Sequence, residues 1–143
     1  MTTTLVPGEE LQGEEVRLAT ALVRWLETGD PPGGLFAEDV FTDLSLPRWR
    51  LQGEGPEETA DLRAASHPFP GEVTVRSLDR TSRGFLVELE ERWDAEGQRW
   101  YCRELFHCAV SGDRVTQLSV YCTGDWDEAV QQRHTEQVRL TRP

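Results

Sequence analysis

The stretch FLVELEERWDAEGQRWYCRELFHCAVSGDRVTQLSVYCTGDWD, Phe85–Asp127, decides the fold. Runs of strand-forming residues at about 84–93, 99–110 and 114–122 are broken only by short turns at Asp94–Gly97 and Ser111–Asp113, which predicts an antiparallel meander. Side chains alternate along each strand, and tight hairpins fix which of them share a face. The first face then holds Leu86, Glu88, Glu90, Arg92, Tyr101, Arg103, Leu105, His107, Thr116, Leu118, Val120 and Cys122. The second holds Phe85, Val87, Leu89, Glu91, Trp93, Trp100, Cys102, Glu104, Phe106, Cys108, Val115, Gln117, Ser119 and Tyr121. One extra bulge residue would exchange part of the two sets.

Upstream, apolar residues at Leu11, Leu18, Ala19, Leu22, Val23, Trp25 and Leu26 recur at helical spacing and predict a helix over 10–27, with residues 1–9 frayed. Two prolines and three glycines in Thr28–Gly34 end it, and a short turn is expected over 35–39. Val40–Gln52 alternates and reads as one strand, with Pro47 at a sheet edge or a bend. Pro56, Glu57 and Glu58 open a second helix over 57–66, and His67-Pro68-Phe69-Pro70-Gly71 stops it before a strand at about 72–79. Downstream, Asp125-x-x-Glu128 has capping-box form with Asp125 as the cap of a brief helix, and Val138–Leu140 reads as a last extended piece.

The chain has 143 residues, the size of one domain that can bury its own core, and no repeat or linker divides it. Its composition is that of a soluble globular protein. A formal net charge of -11 disfavours nucleic acid and anionic membrane surfaces as partners, since both demand Lys and Arg. The opening residues carry neither a basic n-region nor an apolar h-region, so a cytoplasmic location is expected. The three cysteines show neither CxxC nor zinc spacing, and Cys102 and Cys108 lie six apart on one strand, too far along it to bridge. Reduced packing thiols are expected, and with no HxH or HExxH pattern among the histidines no metal site is expected.

This order of elements resembles that of the nuclear transport factor 2-like (NTF2-like, cystatin-like) superfamily, which includes SnoaL-like polyketide cyclases, ketosteroid isomerase and limonene-epoxide hydrolase. Two passages carry the resemblance: LFAEDVFTDL, similar to the family's passage from helix to first strand, and VSGDRVTQLSVY, similar to its last hairpin. The resemblance implies an α+β class, a cone-shaped α+β barrel in which a curved antiparallel sheet wraps on N-terminal helices. It also implies a pocket for a small hydrophobic molecule, no cofactor, and a homodimer formed through the sheet. Matching the last hairpin to ketosteroid isomerase puts the first face in the pocket, with Leu105, Leu118, Val120 and Cys122 lining it. Periodicity alone favours the second face as the more buried, and a partner subunit would then cover it.

Aligned in this way, Leu44, Leu105 and Val120 stand where the isomerases and epoxide hydrolases carry acids, so neither machinery is intact. The remaining candidates for proton donors and acceptors are Asp43, His67, Tyr101, Glu104 and His107, because a carboxylate among apolar groups and a histidine beside Glu and Arg are where a pKa moves toward neutrality. Glu104 stands out among Cys102, Phe106 and Tyr121. Trp49, Arg50, Arg103, Tyr121 and Trp126 are candidates for ligand binding, the rings as walls and the guanidinium groups as grips on a carbonyl or an anion. Two functions follow: a SnoaL-like enzyme using cofactor-independent acid–base chemistry on a polyketide-like or polycyclic metabolite, or a non-catalytic ligand-binding or dimerising protein, which the missing acids favour.

Overall fold

The apolar stripe of the first segment forms helix α1, Gly13–Thr28, and buries Leu18, Ala19, Leu22, Val23, Trp25 and Leu26. The helix ends where Gly29 adopts a φ of 85° and its N–H donates to the Trp25 carbonyl, a left-handed turn that glycine takes without strain. These coordinates are a computed structural model, and the structure describes residues 13–67 and 70–142. The expectations for residues 1–9, for Leu11, and for Pro68 and Phe69 of the loop lie outside those bounds.

The single strand expected over 40–52 is two strands, β1 (Phe36–Ser45) and β2 (Arg50–Glu54), paired antiparallel about a turn in which the Leu46 N–H donates to the Trp49 carbonyl. Pro47 sits in that turn, where it interrupts no ladder. The turn expected over 35–39 is largely absorbed into β1, because β1 gains a parallel partner there. Helix α2 (Gly55–Ser66) follows, then β3 (Gly71–Arg80), β4 (Gly84–Ala95), β5 (Gln98–Ser111), β6 (Arg114–Cys122) and α3 (Glu128–Gln137). Asp127, rather than Asp125, caps α3 by accepting from the Val130 N–H at 2.9 Å, and Val138–Leu140 joins no strand.

The six strands form one sheet in the order β2-β1-β6-β5-β4-β3. It is mixed rather than wholly antiparallel, since β1 and β6 run parallel. Helix α1 packs on β3 and β4, and α2 on β1 and β2. This is the expected α+β architecture of helices on a curved sheet.

The pairing of β4 with β5 keeps the predicted faces, with Val87 opposite Phe106, Leu89 opposite Glu104 and Glu91 opposite Cys102. Between β5 and β6 the register steps from Val110–Val115 to Ala109–Gln117, leaving Thr116 as an extra residue. That bulge turns β6 over, so Leu118, Val120 and Cys122 join Cys108, Phe106 and Glu104. The second face of β4 and β5, with the bulged β6, is therefore the inner face. It is covered by α1 and α2 of the same chain. The first-face residues of β4 and β5 lie outside, which corrects the assignment of Tyr101, Arg103, Leu105 and His107 to the pocket.

Candidate active site

Two spaces meet at His67. A cavity of about 30 Å³ lies between the helices and the inner face, lined by Trp25, Thr42, Leu44, Arg63, Glu104, Phe106, Leu118 and Val120 as well as His67. A cleft of about 470 Å³ opens beside it, lined by Leu46, Pro47, Arg48, Trp49, Leu51, Gly124 and Asp125, again with His67. The first has room for a water or a carbonyl group, and only the second has room for a small molecule.

Local backbone physics places these groups. Arg63 follows Thr59 by one helical turn, so the two form the buried side of α2, where the Thr59 hydroxyl shares a 2.6 Å hydrogen bond with Thr42. His67 leaves α2 in an extended conformation, as a residue before proline must, while its N–H still donates to the Arg63 carbonyl. Gly124 turns the chain after β6 with a φ of 84°, and a Cβ there would lie 2.8 Å from Pro47 Cγ. That close approach brings Asp125 to within 4.0 Å of His67 Nε2.

A buried ion pair organises the interior. Arg63 donates to both Glu91 oxygens, one at 2.8 Å, and to the Leu26 carbonyl at 3.0 Å, with side chains 7% and 3% exposed. Burial opposes ionisation of Glu91, but the Arg63 guanidinium outweighs it and holds the carboxyl at about 2. Glu104 sits deeper, with Arg63 Nη1 at 4.0 Å and His67 Nε2 at 3.9 Å. Burial, reinforced by the negative charge of Glu91, pushes its carboxyl well above the usual range, so it keeps its proton. The Cys102 thiol donates to Glu104 Oε1 at 3.6 Å. Contact with Cys122, then burial, pushes Cys102 up, whereas that same contact, with His67 and the Gly124 N–H assisting, holds Cys122 down at about 5.

The donor atoms of His67, Cys102, Cys122 and Asp125 lie within 4.8 Å of one another, as do those of His67, Glu91, Cys102 and Glu104. These are ligand types that zinc takes, so either set could hold such an ion, and no sequence spacing reveals them because they come from four separate segments. Holding it with both thiols would require Cys102 to give up the proton that its surroundings retain.

Among the sequence candidates, Glu104 and His67 share the site and Trp49, 70% exposed, walls the cleft. The others lie elsewhere, with Tyr101, Arg103 and Trp126 lining a separate cleft of about 230 Å³ beside α3. Asp43 binds Arg50 at 2.9 and 2.6 Å on the outer side of β1, facing away from Thr42 and Leu44, and Tyr121 is exposed on the same side of β6. Tyr101 donates to Glu90 at 2.8 Å and packs on Trp126 at 5.7 Å, while burial and Glu90 raise its hydroxyl to about 12. His107 is engaged by Thr81 at 2.9 Å and Arg83 at 3.1 Å, and Arg103 lies 3.7 Å from Glu88. Of the family-acid positions, Leu44 and Val120 line the cavity and Leu105 faces out.

Sequence reasoning passed over Arg63, Glu91 and Asp125, and took Cys122 only as a lining of the pocket. A signal existed for the first two: a second acid beside Glu104 on an apolar face demands a cation.

No family model and no curated protein matches the chain. Solved structures do. An NTF2-like protein from Anabaena variabilis superposes with a TM-score of 0.62 at 17% identity, covering 82% of this chain and 97% of that one. A protein with a ketosteroid isomerase-like fold from Catenulispora acidiphila, in complex with trimethylamine, gives 0.61 at 16% identity over 74% and 85%. An LEH-like epoxide hydrolase of M. tuberculosis gives 0.60 at 17% over 76% and 82%. With the helices, the mixed curved sheet and the inner cavity in hand, these likenesses show that the chain has the NTF2-like, ketosteroid isomerase-like fold.

Proposed function

We propose that the protein is a small enzyme of the SnoaL-like kind, which moves protons on an apolar, polycyclic or polyketide-like metabolite and so isomerises, cyclises, dehydrates or hydrolyses it. One observation carries the reading: a protonated carboxyl, Glu104, and an imidazole, His67, face each other at 3.9 Å where the cleft joins the inner cavity. The body of the ligand lies in the cleft against Trp49 and Leu51, with its carbonyl directed past His67 toward Glu104. His67 carries the proton to and from carbon or water, and Glu104 donates to the oxygen on which charge develops. Burial, with the negative charge of Glu91, favours the protonated form of Glu104 against the opposing charge of Arg63. The epoxide hydrolase and the isomerase-like protein among the structural neighbours support a frame used for such chemistry.

The test is exchange of α-hydrogens for deuterium in a panel of cyclic ketones and enones, followed by NMR. The chain should accelerate exchange in at least one, and Glu104→Gln and His67→Gln should each lower that rate by about 10²-fold or more. Binding in the cleft, seen as quenching of Trp49 fluorescence, with no exchange in any member would replace this reading with the second one. That second reading, a non-catalytic ligand-binding protein, is favoured by the apolar Leu44 and Val120 at cavity positions where the family's enzymes carry acids.

A further inference from the structure

We propose that Cys122 is a nucleophilic thiol paired with the His67 imidazole, and that the cleft beside them takes an alkene conjugated to a carbonyl. The inference rests on the reading of His67 as a proton carrier and adds to it an atom that forms a bond.

The geometry supplies three supports. Cys122 Sγ, a ring nitrogen of His67 and a carboxylate oxygen of Asp125 all lie within 4.8 Å of one another, which sets a thiol beside an imidazole that can take its proton. The Gly124 N–H donates to Cys122 Sγ at 3.4 Å, a contact that favours negative sulfur. His67 is only 5% exposed, yet its Nδ1 finds no hydrogen-bond partner among the described residues. Leaving a buried ring nitrogen unsatisfied destabilises the fold, so it is a group to be explained by function rather than by packing.

Of the three cysteines, only Cys122 suits the role. Cys102 and Cys108 are fully buried, and their surroundings hold them protonated. Cys122 is of intermediate exposure, the least buried of the three, and its sulfur stands beside His67 with the Gly124 N–H donating to it. The groups that face this cluster are Arg63 and His67 from α2 and its cap, Glu91 from β4, Glu104 and Cys102 from β5, and Asp125 from the loop after β6.

The cleft sets the class of ligand. Leu46, Pro47, Trp49 and Leu51 offer apolar walls, and Arg48 offers a cation for a carbonyl oxygen. A thiolate is a soft nucleophile whose preferred carbon partner in such a ligand is the β-carbon of a conjugated alkene. In the step, a bond forms from Cys122 sulfur to that carbon, the alkene π pair moves toward the carbonyl oxygen as an enolate, and the His67 imidazolium gives its proton to the α-carbon. In reverse, neutral His67 removes an α-proton, the carbon–sulfur bond breaks and the thiolate leaves. Rotation about the former double bond in the adduct returns either geometric isomer, so the cycle is an isomerisation that consumes no other reactant.

The test uses N-ethylmaleimide on the reduced protein, with the labelled residue assigned by mass spectrometry. At about pH 6, Cys122 should be labelled roughly five- to tenfold faster than free cysteine, its larger thiolate fraction outweighing the lower intrinsic nucleophilicity of a more acidic thiol. Cys122→Ser should abolish that labelling. His67→Gln should reduce it to the free-cysteine rate, and Asp125→Asn provides the same comparison if His67→Gln fails to fold. The proposal is overturned by a Cys122 rate no faster than free cysteine, by a rate indifferent to both substitutions, or by labelling that appears only after a chelator strips bound zinc. Labelling and isotope exchange together separate the two readings. In the unsubstituted protein, fast labelling with no isotope exchange in any ketone overturns only the proton-transfer reading, and exchange without fast labelling overturns only the thiol; in Glu104→Gln, exchange should be lost with labelling intact.

Discussion

Each side of strands β4 and β5 has an acid paired with arginine and also meets a histidine, and the two sides behave oppositely. Inside, Glu91 meets Arg63 with both side chains almost wholly out of water, and His67 stands over Glu104 with one nitrogen unpartnered among the described residues. Outside, the adjacent residue Glu90 meets Arg76 and Arg92 at 3.5 Å, with those arginines 40% and 43% exposed, and His107 has Thr81 and Arg83 on its two nitrogens. The residue types are the same, so chemical identity cannot explain the difference. Dielectric does: exposed pairs are screened, whereas removing one member of a buried pair strands the other's charge.

The largest expected effect sharpens that contrast. Glu91→Gln should destabilise the fold by about 3–5 kcal/mol in denaturant unfolding, because Arg63 loses its counter-charge, while Glu90→Gln should cost under about 1 kcal/mol. Equal costs would mean that the two sides of the sheet are not electrostatically distinct.

A smaller effect lies in pH, where the two buried acids act with opposite signs. Glu91, held at about 2 against an ordinary 4.5, contributes stability that is present above 4.5 and lost as pH falls through about 2. Glu104 is raised above 4.5, so its contribution is complete below 4.5 and is lost as pH rises through the folded value. Glu104→Gln should therefore flatten the alkaline side of the stability profile and leave the acid side. An unchanged alkaline slope would show that Glu104 is ionised in the folded protein.

The smallest effect concerns a surface feature at the edge of the site. Asp127→Ala should cost about 1 kcal/mol through loss of the α3 cap, measurable by unfolding, and should leave N-ethylmaleimide labelling of Cys122 unchanged. A change in labelling would show that α3 reaches the inner cluster.

Much of this could be read before folding. Periodicity located α1 and the meander, since a helix needs apolar residues at i, i+3 and i+4 and a strand needs alternation, while Pro56 with its two acids and the proline-rich stop located α2. It also put Glu91, Cys102 and Glu104 on one face of β4 and β5, because a two-residue period leaves no other choice. It misread β6, where the extra Thr116 inverts every later side chain, and a bulge leaves no compositional mark. It also merged β1 and β2, because the alternation around the turn at Leu46–Trp49 resembles one continuous strand.

By itself the sequence determined the α+β order, the alternation of the meander and the presence of an acid where an apolar neighbour was expected. Only the tertiary structure decided which face of the sheet is inside, since that depends on one bulge and on where α1 and α2 pack. It alone brought His67, Glu104, Cys122 and Asp125 together. Those residues span 59 positions of chain, and the contacts among them follow from long-range strand pairing that no local pattern encodes.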